Sequence, residues 1–184
     1  MNSTKIKTLL LQGNKLKELK GLEKLRSLEV LNVKGNFLKS GCLANQFRQM
    51  RVLDVSQNQI TKIDGLGLEN MPNLEILDVS HNFLRNLQNL PKLANLRVLR
   101  IGDNKLEEVK ISDLAQNCAF LEELDLRRNR IKNFSKNQVV PDNLSSIIDL
   151  NVSGNLLKNL HFLEFFDNIC ILNACDNQIG NNPM

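Results

Sequence analysis

Residues 74–84 read Leu-Glu-Ile-Leu-Asp-Val-Ser-His-Asn-Phe-Leu, and this stretch decides the fold. Apolar side chains stand at Leu74, Leu77, Val79 and Leu84, with Asn82 between the last two. Around Leu77 and Val79 the alternation has period two, the signature of a strand with one face in a core and the other turned outward. Leu77 and Val79 are therefore expected inside, and Ile76, Asp78 and Ser80 outside.

The pattern Leu-x-x-Leu-x-Leu-x-x-Asn-x-Leu recurs along the whole chain. Copies begin at Ile6, Leu28, Met50, Leu74, Leu96, Leu121, Ile147 and Ile169, and every apolar slot is filled if Met50 and Ala174 count as apolar. The Asn slot falls at Asn14, Asn36, Asn58, Asn82, Asn104, Asn129, Asn155 and Asn177, at intervals of 22, 22, 24, 22, 25, 26 and 22 residues. Periods of this length mark a solenoid, in which each unit buries its apolar face against its neighbours. Between templates, apolar residues return about every third position, as in Leu84, Leu87, Leu90, Leu93 and Leu96, a rhythm that suits a 3₁₀ or short helical outer side. The composition agrees. Of 184 residues 34 are Leu and 26 are Asn, too many Asn for caps and turns alone.

These copies resemble the leucine-rich repeats, and the resemblance covers essentially the whole chain. The 22-residue unit with its three-residue outer rhythm is similar to the subfamily typified by the leucine-rich regulatory subunit of type-1 protein phosphatase, which also includes an axonemal dynein light chain and a spliceosomal protein. The expected fold is an α/β solenoid: one domain over residues 1–184, about eight repeats, a parallel concave sheet and a 3₁₀ or short-helix convex side. Eight strands at ~4.8 Å spacing give a strip roughly 34 Å long. Each template Asn is expected in the turn, where its amide meets backbone groups that the bend leaves unpaired.

Three outward columns follow from the alternation. The first reads Thr8, Val30, Val52, Ile76, Val98, Glu123, Asp149, Ile171; the second Leu10, Asn32, Asp54, Asp78, Arg100, Asp125, Asn151, Asn173; the third Gln12, Lys34, Ser56, Ser80, Gly102, Arg127, Ser153, Cys175. An apolar centre of Val52, Ile76 and Val98 with ordered charge at its edge, from Asp54, Asp78, Arg100, Asp125, Arg127 and Lys34, is how protein interfaces are composed. The competing reading is that β-branched residues simply favour strands. Phe37 and Phe83, each just after a template Asn, and Phe162 and Phe165 on the convex side are candidates for a second hydrophobic contact.

Other chemistry is disfavoured. The chain has no Trp, no Tyr and 8 Phe, little material for a cofactor pocket or a base-stacking platform. The basic run at Arg127, Arg128, Arg130 and Lys132 is interleaved with Glu122, Glu123 and Asp125, which argues against a nucleic-acid groove. Neither His81 nor His161 has a template-adjacent Ser or Cys positioned as a nucleophile with a third orienting group, and Cys170 and Cys175 lack a second pair to complete a metal shell. No catalytic residue, metal or cofactor is expected. Residues 1–51 carry a net charge of +8 and the remainder −4, an asymmetry able to steer an acidic partner to the N-terminal end.

The first residues show no apolar signal region and the cysteines no dense pairing, so an intracellular, cytoplasmic chain with reduced thiols is expected, the nucleus, cilium or cytoskeleton being other locations. No membrane span is expected. No terminal caps are recognisable, and since a solenoid's end strands expose apolar faces and edges, a partner covering a terminal repeat is expected as well. The resulting expectation is a non-catalytic protein-binding module, a structural or scaffolding subunit of a larger assembly. The resemblance adds a regulator of a type-1-like phosphatase as an alternative, and a basic-patch nucleic-acid or ribonucleoprotein binder is the third.

Overall fold

The computed structural model describes residues 5–43, 47–135 and 144–180. The termini at 1–4 and 181–184, which bear on the expected lack of caps, lie outside the described residues. In chain order the elements are β1 (Thr8–Leu10), β2 (Val30–Asn32), β3 (Val52–Asp54), β4 (Ile76–Asp78), β5 (Val98–Arg100), β6 (Glu108–Lys110), α1 (Ile111–Asn117), β7 (Glu123–Asp125), β8 (Asn133–Ser135), β9 (Asp149–Asn151) and β10 (Ile171–Asn173). One strand from each template copy joins a parallel sheet of order β1-β2-β3-β4-β5-β7-β9-β10. The outer side carries 3₁₀ turns at Leu68–Asn70 and His161–Phe165.

The register is the one expected from aligning the Asn slots. Val52 pairs Ile76, Ile76 pairs Val98, Asp54 pairs Asp78 and Asp78 pairs Arg100. The middle residue of each strand points inward, and Leu31, Leu53, Leu77, Leu99, Leu124 and Leu150 form a fully buried column. A second inner column, from Val33 through Val55, Val79, Ile101 and Leu126 to Val152, closes the core beside it.

The template Asn residues make the turn. Asn82 is buried, its Nδ2 donates to Val55 O, Val79 O and Ser80 O at 3.0–3.1 Å, and its Oδ1 accepts from Ile60 N at 2.9 Å. The bonds to Val55 and Ile60 reach back into the preceding repeat, so each Asn ties two rungs together. Asn36, Asn58, Asn104, Asn129 and Asn155 repeat this geometry. The residue before each Asn is left-handed in all eight copies, with φ between 50° and 69°. Glycine takes this conformation freely at Gly13, Gly35 and Gly154, whereas Gln57, His81, Asp103, Arg128 and Asp176 adopt it against the steric preference of an L-residue.

The irregular intervals have a structural counterpart. The 25-residue interval after Asn104 holds α1, and β6 pairs β8 from the corresponding place one repeat later to make a small second parallel sheet. On the outer side one expectation is corrected. Leu160 is 42% exposed, whereas Phe162 is 5% exposed and buried in the core. The Phe162 ring stacks on Phe134 at 5.0 Å and meets Phe166 edge-on at 6.4 Å. Burying the larger ring and gaining aromatic contacts outweighs burying Leu160. Phe162 is therefore not a surface contact, and Phe165 is half-buried against the same core.

Candidate concave interface

The sheet brings the expected concave residues together. Val30, Val52, Ile76 and Val98 stand in adjacent strands as an unbroken half-buried apolar row. Beside it run Asp54, Asp78, Arg100 and Asp125. Lys34 sits at the basic end of the face, exposed, its amide bonded to Asn32 Oδ1 at 3.0 Å.

The charges are less free than the columns suggest. Asp78 Oδ1 accepts from Ser80 N at 2.9 Å and from the Ser80 hydroxyl at 2.6 Å, and Asp54 holds Ser56 in the same way. One oxygen of each carboxylate thus shapes the strand end, and Ser56 and Ser80 are buried instead of displayed. Arg100 is held by Glu123, whose Oε1 accepts from both Nε and Nη2 at 2.9 Å. Asp125 is 8% exposed and accepts from Arg127 N, and burial pushes its carboxyl above its ordinary pKa despite the nearby Arg127. Arg127 Nε lies 3.6 Å from Asp125 and 3.7 Å from Asp103. Asp103 also faces His81 at 3.3 Å and Arg128 at 3.8 Å, which makes it the centre of a small charge cluster.

A further column escaped the sequence reading. Before the first six strands of the large sheet the preceding residue runs Lys7, Glu29, Arg51, Glu75, Arg97, Glu122, alternating in sign along the rim. Lys7 pairs Glu29 at 2.7 Å, Arg51 pairs Glu75 through two 2.9 Å bonds, and Arg97 pairs Glu122. The bonds from Arg51 hold the Glu75 carboxyl below its ordinary value. Writing out one more column beside the strand would have exposed the alternation.

Nothing in the face resembles a reaction centre. Among the described residues His81 is partnered by Asp103, and no Ser or Cys side chain hydrogen-bonds to it. No three His, Cys, Asp or Glu side chains gather as a metal site among those residues, and no helix among them is long and apolar enough to cross a membrane. Two of the surface hollows are open and lined by side chains of both charges.

Comparison with known proteins places this architecture among known folds. Residues 48–92 match the family model described as Leucine Rich repeats (2 copies). Among solved structures, internalin C2 of Listeria monocytogenes superposes with a TM-score of 0.66 at 22% identity, covering 92% of this chain and 80% of the internalin. This is a leucine-rich-repeat fold. A leucine-rich-repeat protein of Leptospira interrogans superposes with a TM-score of 0.62 at 19% identity, over 96% of this chain and 56% of that one. No curated protein matches the chain in sequence. Leucine-rich-repeat proteins generally mediate protein–protein interaction, and the stacked repeats present the extended concave surface that such binding uses.

Proposed function

We propose that this leucine-rich-repeat chain is a non-catalytic protein-binding module that receives its partner on the concave sheet and serves as a scaffolding subunit of a larger assembly. The row Val30, Val52, Ile76, Val98 supports the reading most directly: four adjacent rungs offer apolar surface with no charge interposed. The face is rigid, since its charges are already tied to Ser56, Ser80 and Glu123. An apolar ridge with hydrogen-bond donors toward the second oxygens of Asp54 and Asp78 would fit it.

The test is cross-linking with mass spectrometry on the native assembly, comparing the wild-type chain with Ile76→Asp. Loss of concave-face cross-links in the variant, with an unchanged circular dichroism spectrum, supports the proposal. Cross-links that persist unchanged refute it. The repeat length makes a type-1-like phosphatase catalytic subunit one partner to try by calorimetry; binding indifferent to Asp78→Lys removes that assignment.

A further inference from the structure

A second surface lies where the chain leaves each Asn turn. The residue after the template Asn is Lys15, Phe37, Gln59, Phe83, Lys105 or Arg130 in the first six repeats. These six are stacked by a backbone ladder of their own. Phe37 N donates to Leu16 O, Gln59 N to Leu38 O, Phe83 N to Ile60 O, Lys105 N to Leu84 O and Arg130 N to Leu106 O, each at 2.8 Å. Neighbours in this column therefore stand one rung apart, about 4.8 Å. Two residues further along each repeat, Lys17, Lys39 and Arg85 add a parallel row.

Three observations set this ledge apart from the concave face. First, its basic groups are not paired to carboxylates: among the described residues every Lys or Arg in an ion pair is Lys7, Lys20, Arg51, Arg97, Arg100, Arg127 or Arg128, and none of these belongs to the ledge. Second, it exposes two large rings, Phe37 at 44% and Phe83 at 43%. Third, Phe37 lines a shallow hollow together with Lys17, Lys39 and Gln59. Only beyond Arg85 do Glu107 and Glu108 interrupt the basic rows. The +8 balance of residues 1–51 belongs in part to this surface.

We infer that the ledge over the first five repeats is a docking site for an acidic protein segment carrying an apolar side chain, distinct from the concave interface. Carboxylates pair with Lys15, Lys17, Lys39, Arg85 and Lys105, and the apolar side chain enters the hollow over Phe37. A nucleic-acid strand fits less well. The Lys105 ammonium sits 4.7 Å above the Phe83 ring and covers a face that a base would need. The amides of Phe37, Gln59, Phe83, Lys105 and Arg130 are committed to the ladder and do not point at a phosphate.

The experiment uses the full chain and two fluorescein-labelled probes, a peptide of repeating Glu-Glu-Leu and an oligo-dT of similar length, in fluorescence anisotropy at low salt. The ledge variant Lys17→Glu/Lys39→Glu is set against Lys24→Glu/Lys92→Glu, which makes the same charge change at exposed positions off the ledge. The expected result is peptide affinity reduced by about tenfold or more in the ledge variant, by less than about threefold in the control, and reduced also by Phe37→Ser. Equal losses in the two double variants would mean undirected attraction to net charge and overturn the site. Tighter binding of oligo-dT than of peptide, or indifference to Phe37→Ser, overturns the assignment to an acidic protein segment. Ile76→Asp is run alongside, so failure of the ledge and failure of the concave interface are read separately.

Discussion

Asn82→Ala tests the turn that sets both the register and the curvature of the sheet. The lost side chain does two unequal jobs. Its Nδ2 donates to Val55 O, Val79 O and Ser80 O, but these carbonyls keep other donors: Asn58 Nδ2 on Val55 O, Asn104 Nδ2 on Val79 O and Gln57 N on Ser80 O. Its Oδ1 accepts from Ile60 N, a buried amide held by that bond at 2.9 Å. One orphaned buried N–H costs about 1–3 kcal/mol, and loss of the shared carbonyl bonds adds about 1 kcal/mol, so a destabilisation of about 2–4 kcal/mol is expected. Asn14→Ala is the comparison. Asn14 is exposed and, among the described residues, bonds only to Leu11 O and Gln12 O in its own repeat, so its loss should cost less than about 0.5 kcal/mol. With neither Trp nor Tyr in the chain, urea unfolding is followed by far-ultraviolet circular dichroism instead of intrinsic fluorescence. Equal midpoint shifts for the two variants, or a shift for Asn82→Ala below about 0.5 kcal/mol, would refute the inter-repeat role of the Asn ladder.

Three further outcomes follow from the same structure. Gln57→Gly relieves a left-handed backbone at φ 54° and should raise stability by about 0.5–1 kcal/mol, whereas Gly35→Ala, at φ 66°, should lower it by about 1 kcal/mol; thermal melts of the two variants must move in opposite directions. Burial raises the Asp125 pKa, so ionisation opposes folding: the penalty is absent below ~pH 4, grows as pH rises through the folded-state pKa, and is fully present above it. Asp125→Asn, which keeps an acceptor for Arg127 N, should therefore raise the neutral-pH midpoint relative to its value below ~pH 4, and a pH-independent difference would count against the assignment. With iodoacetamide at neutral pH, exposed Cys170 and Cys175 should label first, Cys42 slowly because burial pushes its thiol up to about 11, and Cys118, pushed up to about 12, only on unfolding; mass spectrometry reads the order.

The sheet was legible because two signals agree at every repeat. Period-two alternation says which residues of Ile76–Asp78 face inward, and a fixed offset from strand to Asn says which residues are neighbours, so aligning the Asn slots gives the pairing of Val52, Ile76 and Val98 without further information. The excess of Asn was only partly legible, since eight template positions leave most of the 26 to be explained by what the folded backbone needs. Asn73, Asn95 and Asn168 close the second bend of their repeats by donating to Arg48 O, Pro72 O and Ser145 O in the repeat before. Asn32, Asn151 and Asn173 accept from the amide two residues on, the same local bond that Asp54 and Asp78 make. The β6–β8 pair and the inward turn of Phe162 were not legible. Both depend on what the neighbouring repeat places alongside, Phe134 in the second case, and not on local spacing.

The charges show why the candidate sites were harder to read than the fold. A column of residue names gives sign and position but cannot tell a paired charge from a free one. Arg100 and Arg127 look like recognition groups in sequence, yet Glu123, Asp125 and Asp103 face them, while the ledge lysines look like ordinary solvated surface and have no ion-pair partner among the described residues. On the proposed reading, electrostatic recognition therefore belongs to the flank, and the sheet has apolar shape as its main resource. The two modes respond differently to salt. Exposed unpaired charges are screened over about 10 Å at 0.1 M ionic strength, so binding to the ledge should weaken steeply as salt rises, whereas burial of the Val52, Ile76 and Val98 row should be nearly indifferent to it. A partner whose affinity is unchanged by salt but lost with Ile76→Asp uses the sheet. One whose affinity falls with salt and with Lys17→Glu/Lys39→Glu uses the ledge, and a partner showing both responses spans the two faces.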